Sequence, residues 1–292
     1  ACDKPSADTA ARTDLQSTMT ARAATPASST AEVTTQPEAT AATETISTSS
    51  TEPPMPPIAI TDLYDNQALQ SSLEGDWGFA CLVEGYDQTI LFDTGGSGSI
   101  LLSNMNALGI DPLHVDLVVL SHEHGDHTRG LAAILAQNPE ITVYCPASFS
   151  QSFTRSAEAA GATLVRVDSA TSPCQGVTIT TPMRGDAVNE QGLLLETAQG
   201  PVLITGCAHP GIVAMAEAAT ALADQPLLAV FGGFHLRQHS DRQVQAVIGD
   251  LRQLGIQQCG PTHCTGHRAI ALFQEAFGPG FIPMGVGKTL QF

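Results

Sequence analysis

Apolar and polar positions change character along the chain. From residue 3 to about residue 57, Thr, Ser, Ala, Pro and acidic residues dominate, with no aromatic residue and few large aliphatic ones. Such a segment buries too little apolar surface to offset its ordering entropy. Residues 1–57 therefore read as a disordered tether ending in the stiff Pro53-Pro54-Met55-Pro56-Pro57 run. Residues 58–292 carry the patterning of one folded domain. Apolar runs at 79–84 and 89–92 flank Gly85-Tyr86-Asp87-Gln88 and predict a hairpin. Further strands are predicted at 115–120, 141–145, 164–167, 177–180, 193–197, 201–205, 227–231 and 256–261, with a closing strand at 285–292. Helical spacing falls at 99–108, 128–137, 148–160, 212–222, 242–254 and 268–277, with Gly109 and Gly161 as stops.

One unit recurs: strand, then a loop bearing Gly or His, then helix, at 115–137, 201–222, 227–254 and 256–277. In a layered α/β domain such loops gather along one edge of the sheets. Hairpins come early and strand–helix alternation comes later. That mixture predicts two packed sheets with helices outside, an αββα sandwich. His122, His124, Asp126, His127, His209, His235 and His263 are then expected to face one cleft.

The densest chemistry is Ser121-His122-Glu123-His124-Gly125-Asp126-His127, directly after an apolar strand. A polar turn is the plain alternative, but it would gather three of the chain's nine histidines by accident. Neutral imidazoles with a carboxylate suit zinc, as one or two ions, with iron or manganese also compatible. Asp93, at the end of the second hairpin strand, is read either as a carboxylate that orients a metal ligand or as a turn-capping aspartate.

Charge and cysteines narrow the picture. A net charge of −17 argues against a broad nucleic-acid surface. A small anionic substrate remains compatible, because one or two arginines suffice to bind it. Arg129, Arg184 and Arg237 stand near motif loops, as anion-binding groups or as solvated surface. No run of eighteen apolar residues predicts a membrane-spanning helix. Ala1-Cys2 in front of the tether resembles a bacterial lipoprotein lacking most of its signal peptide, the alternative being an arbitrary boundary. The first reading implies export, a lipid on Cys2 as the sole membrane contact, and an anchored domain at the cell envelope. Cys81 and Cys145 lie in apolar runs and read as core residues.

Over roughly residues 75–290 the sequence resembles the metallo-β-lactamase superfamily. The resemblance rests on His122-x-His124-x-Asp126-His127, the earlier Phe92-Asp93-Thr94-Gly95 and the later His-bearing strand ends. Gly206-Cys207-Ala208-His209-Pro210-Gly211, Gly232-Gly233-Phe234-His235-Leu236 and Pro261-Thr262-His263-Cys264-Thr265-Gly266 resemble a particular branch. That branch is named after an archaeal dihydropterin-ribofuranosyl-aminobenzene-phosphate synthase, and many of its bacterial members are described only as metallohydrolases. The resemblance implies two metals, with His122 and His124 on the first and Asp126, His127 and His263 on the second. Two departures stand out. Cys207 occupies the position of the usual bridging aspartate, and residues 181–191 hold no histidine. His209 is the natural replacement as third ligand of the first site. Cys207 is read as a thiolate ligand or as a small residue at a tight turn. His235 is read as ligand, proton donor or packing residue, and His267 as a surface or supporting histidine.

The resemblance thus implies a metal-dependent hydrolase that uses activated water on an ester- or phosphoester-type bond, with Asp126 and His235 as catalytic groups. The alternatives are a synthase-like transferase that condenses a pterin with a phosphorylated ribosyl-aminobenzene, and a non-catalytic metal or ligand binder.

Overall fold

Strand after strand buries alternate residues on opposite faces, and this parity builds the molecule. The computed structural model describes residues 57–292; residues 1–56 of the predicted tether, with Cys2 and the lipid expected on it, lie outside the described residues. The first half runs β1 (Ala59–Tyr64), β2 (Ala80–Glu84), β3 (Ile90–Phe92), α1 (Gly98–Ala107), β4 (Leu117–Val119), α2 (Gly125–Thr128), α3 (Leu131–Gln137), β5 (Thr142–Pro146), α4 (Gln151–Ala159) and β6 (Thr163–Val167). The second half runs β7 (Thr171–Cys174), β8 (Val177–Ile179), β9 (Met183–Arg184), β10 (Asn189–Glu190), β11 (Leu193–Leu195), β12 (Val202–Thr205), α5 (Ile212–Ala223), β13 (Ala229–Gly233), α6 (Asp241–Gln253), β14 (Gln258–Thr262), α7 (His267–Phe277) and β15 (Thr289–Gln291).

Two large sheets result, in strand orders β15-β1-β2-β3-β4-β5-β6 and β14-β13-β12-β11-β8-β7, and β9 pairs with β10 in a separate two-stranded ribbon. Cys81, Val83, Ile90, Phe92, Leu117 and Val119 of the first sheet meet Val202, Ile204, Ala229 and Phe231 of the second in a shared core. Their neighbours along the same strands point the other way. Leu82, Leu91 and Val118 pack with Leu101 and Met105 of α1 and with Leu131 and Ile134 of α3. Leu203 and Val230 pack with Met215, Ile248 and Phe273 of α5, α6 and α7. Strands covered on both faces read as continuous apolar runs, and helices on the outer faces complete an αββα sandwich. β3 and β4 run parallel in the first sheet, as do β12, β13 and β14 in the second. The loops at their carboxyl ends therefore share one edge.

Some predicted elements need correction. The helix expected at 128–137 is two helices, α2 and α3, and α2 begins at Gly125 inside the His-rich stretch. Gly130, between them, packs so closely on the Thr94 carbonyl that a Cβ would fall 1.9 Å from the oxygen. The helix expected from 148 starts at Gln151, where the Ser150 hydroxyl accepts the Phe153 N–H at 3.2 Å. The closing strand shrinks to Thr289–Gln291, since it pairs only with Ala59–Thr61 of β1. β1 itself escaped the pattern because its polar residues Thr61 and Asp62 are as buried as its apolar ones.

Candidate metal centre

Five loops meet at the shared edge. The turn after β3 supplies Asp93, and the turn after β4 with the start of α2 supplies His122, His124, Asp126 and His127. The turns after β12, β13 and β14 supply Cys207 and His209, then His235, then His263 and Cys264. Asp93, Ala208, His235 and His263 all adopt left-handed backbone, with φ of 58°, 57°, 54° and 49°. Each costs about 1 kcal/mol or more relative to an ordinary conformation. Four such turns at one edge show a backbone held to aim side chains.

The side chains converge in two groups. Within the first, ligand atoms of His122, His124 and His209 all lie within 4.8 Å of one another; within the second, so do those of Asp126, His127 and His263. His122 Nε2 and His124 Nδ1 are 3.1 Å apart. His127 Nε2 and His263 Nε2 face each other at 3.2 Å, with Asp126 Oδ2 at 3.8 and 3.4 Å. The structure thus brings together all six residues expected as ligands. Cys207 joins them from the floor: its Sγ is 3.3 Å from His127 Nε2, and it groups with His122 and His127. His235 is exposed and belongs to neither group, but its ring is 4.4 Å from that of His209 and its ligand nitrogen lies within 4.8 Å of the Cys207 sulfur and a His209 nitrogen.

Outer hydrogen bonds fix which nitrogens face inward. His127 Nδ1–H donates to Asp93 Oδ2 at 2.7 Å, and the Ser121 amide and hydroxyl each donate to the same carboxylate at 2.7 Å. Asp93 therefore orients a site histidine rather than capping a turn. Asn66 Oδ1 accepts from His263 Nδ1 at 3.1 Å, while the Asn66 amide donates to the His263 carbonyl at 2.9 Å. Both inner nitrogens, His127 Nε2 and His263 Nε2, are then bare lone pairs at contact distance. Only a cation or proton between them relieves that repulsion. His209 Nε2 is buried with no hydrogen-bond partner. A buried unpaired acceptor is costly, and a metal ion would satisfy it.

At His122, His124 and His209, ionisation favours the same reading. Burial, with neighbouring imidazoles, holds His122 well below its ordinary pKa. Burial and His235 take His209 down to about 3. Burial also lowers His124. Metal binding requires neutral imidazoles. Burial opposes ionisation of Asp126, but His263 and His127 outweigh it and keep the carboxylate well below its usual range. The residues present therefore fit a divalent metal.

One group at the site lacked any sequence signal. Glu190 is buried, and its carboxylate accepts the amides of Gly206, Cys207, Ala208 and His209 at 3.1, 2.8, 2.8 and 2.8 Å. It sits within the segment where no histidine was found, and it shapes the turn that delivers His209 instead. Burial lifts it to about 7 against the His209, Ala208 and Cys207 amides. Trp77, whose ring centroid is 4.7 Å from that of His263, was likewise unsignalled. It lines a cavity of about 750 Å³ beside His263, with Arg237, His239, His267 and Met284. His267, at the exposed first turn of α7, thus borders this cavity. Arg129 is exposed, its guanidinium folded over Gly125, and Arg184 lines a separate hollow with Glu123 and Asp186.

Two packed sheets, with a three-histidine group beside a group of two histidines and a carboxylate at their common edge, define a metallohydrolase-type fold and site. The chain belongs to the metallo-beta-lactamase superfamily, whose profile matches residues 78–252. It is 29% identical over 263 residues to 7,8-dihydropterin-6-methyl-4-(beta-D-ribofuranosyl)-aminobenzene-5'-phosphate synthase of Methanocaldococcus jannaschii, covering 74% of this chain and 90% of that one. Among solved structures it is similar to Tm1679, described as a metal-dependent hydrolase of the beta-lactamase superfamily. The TM-score is 0.67 at 25% identity, over 80% of this chain and 98% of that one. The metallo-beta-lactamase fold protein YhfI of Bacillus subtilis shares the fold at TM-score 0.63 and 13% identity, over 81% of this chain and 100% of that one.

Proposed function

We propose that this chain is a zinc-dependent hydrolase acting on an ester- or phosphoester-type bond of a small anionic substrate. The observation that carries the reading is the pairing of His122, His124 and His209 with Asp126, His127 and His263, two three-ligand groups side by side. The first group would hold one ion and the second another, with Cys207 beside the second. Zinc bound there supplies a water with pKa near 7 and Lewis acidity toward a carbonyl or phosphoryl oxygen. Asp126 orients the attacking oxygen through its carboxylate. His235, exposed beside His209, is placed to give a proton to the leaving group. The neighbouring Cys264 raises its pKa against the effect of burial, which suits a proton donor.

Arg237 supports an anionic substrate. Its guanidinium carbon lies 5.4 Å from the Trp77 ring centroid, at the cavity beside His263. Among the described residues no carboxylate lies within 4.0 Å of its side-chain nitrogens. A charge-assisted contact with substrate is worth about 1.5–3 kcal/mol, so Arg237→Ala is expected to raise KM about 10- to 100-fold with kcat little changed. The deciding experiment measures metal content and then turnover across phosphomonoesters, phosphodiesters and carboxyl esters. Full zinc occupancy with no turnover of any of these would sink the hydrolase reading.

A second reading follows from the archaeal relative, to which the similarity spans 90% of its length. The chain would then condense a pterin with a phosphorylated ribosyl-aminobenzene. Incubation with both substrates and chromatography of the product separates the readings, since a hydrolase yields no condensed species.

A further inference from the structure

We propose that Cys207 and Cys264 form an oxidisable thiol pair that closes to a disulfide in competition with metal binding. The two residues lie on the loops after β12 and β14, which are not neighbours: β13 runs between them. At the end of β13 stands Gly233, where a Cβ would fall 2.7 Å from Cys264 Sγ and 3.1 Å from the Cys207 Cα. The missing side chain lets the Cys264 thiol reach over the intervening strand. It donates to the Cys207 carbonyl at 3.5 Å, and the two sulfurs lie within 4.8 Å of each other and of a His263 nitrogen. A disulfide needs the two Cα atoms about 4.4–6.8 Å apart, so closing this gap takes rotation of both side chains and whatever approach of the two loops that spacing requires. Cys207 Sγ also lies within 4.8 Å of a ring nitrogen of His235, an exposed residue, so the pair sits one side chain below the surface. Cys81, Cys145 and Cys259 lie on strands facing the cores and serve as internal controls.

The chemistry needs an oxidant, and hydrogen peroxide represents the class. One thiol attacks the peroxide, becoming a sulfenic acid and releasing water. The second thiol attacks that sulfur, forming the S–S bond and releasing a second water. Two thiols lose two electrons in total, and the peroxide becomes two waters. The bond would tie together the loops that deliver His209 and His263, and it would draw Cys207 Sγ from its place 3.3 Å from His127 Nε2. A metal seated on His122, His127 and Cys207 would use the same sulfur. The thiol pair stands apart from the hydrolase reading; only the competition rests on a metal being held there.

The full chain, stripped of metal, is treated with hydrogen peroxide, alkylated, digested and mapped by mass spectrometry. A Cys207–Cys264 linked peptide two hydrogens lighter, cleaved by reductant, is expected. The link should vanish in Cys207→Ser and in Cys264→Ser, leaving a trappable sulfenic acid on the remaining thiol. The wild-type map decides by itself if either variant fails to fold. Peroxide-treated protein in which both thiols remain alkylatable, or oxidise singly without a link, overturns the pair. With zinc at a hundred times its Kd, about one-hundredth of the sites are free, so linking should slow about a hundredfold. Equal rates with and without zinc overturn the competition.

Discussion

At the scale of single residues, the centre depends on groups that never touch a substrate. Asp93 is the clearest. Burial alone would keep His127 neutral, but the Asp93 carboxylate at 2.7 Å raises it to about 9. In metal-stripped protein this has a definite sign. Between pH 6.5, the ordinary histidine value, and about 9, the folded state holds a proton that the unfolded chain has released. That stability is fully present below pH 6.5 and is lost as pH rises through 9. The loss amounts to about 3 kcal/mol by the pKa difference. Denaturant unfolding of the chelator-treated protein across this window should show the decline, and Asp93→Asn should abolish it. A bound metal takes the proton's place on His127, so the loaded protein should show none of it. Glu190 acts through backbone rather than charge pairing. In Glu190→Gln the amide NH2 group meets the His209 N–H that Glu190 Oε2 now accepts. The expected cost is about 1–3 kcal/mol of stability, with weaker zinc binding at the His209 site, read by thermal melting and metal titration.

At the scale of elements, the position of the site depends on how closely the strand ends approach. Gly206, just past β12, abuts the turn after β4: a Cβ there would lie 2.1 Å from Ser121 Oγ and 2.9 Å from Asp93 Oδ2. Gly206→Ala should therefore cost about 1–3 kcal/mol and displace Asp93 from His127. The check is a lower melting temperature together with loss of the pH window described for His127. Most of this layer was legible in the sequence. Strands such as β4 and β12 are covered on both faces, so their apolar runs stand out, and polar loops at their ends mark where the sheets stop. The His122–His127 spacing carried its own chemistry, and His209 and His263 could be placed because each follows such a run. What stayed hidden was burial of polar residues. β1 keeps Asp62 inside, and buried Asp65 just past its end accepts from the Thr262 hydroxyl, so no apolar alternation betrays the strand. Asn66 meets His263 across 197 residues, and Glu190 meets the 206–209 turn through four amides. Local pattern holds no record of partners so distant, whereas the tertiary fold defines them completely.

At the scale of the molecule, the candidate metal centre draws its ligands from both sheets. His122, His124, Asp126 and His127 follow β4 of the first sheet, whereas His209 and His263 follow β12 and β14 of the second. Each three-ligand group draws on both sheets. A metal bound to either group thus ties the sheets together only in the folded state, where the ligands converge, and the unfolded chain offers no comparable site. Binding then adds stability by mass action, about 2.7 kcal/mol at a metal concentration a hundred times Kd. A domain of this size shifts by about 2–4 °C for each kcal/mol, so zinc at that concentration should raise the melting temperature by roughly 5–11 °C. The rise should grow with zinc concentration and reverse on chelation. His209→Ala removes a ligand from the first group alone and should keep part of the shift, while His127→Ala removes one from the second. If both variants retain the full wild-type shift, zinc stabilises the protein from some other place, and a metal tie between the sheets is not what holds it.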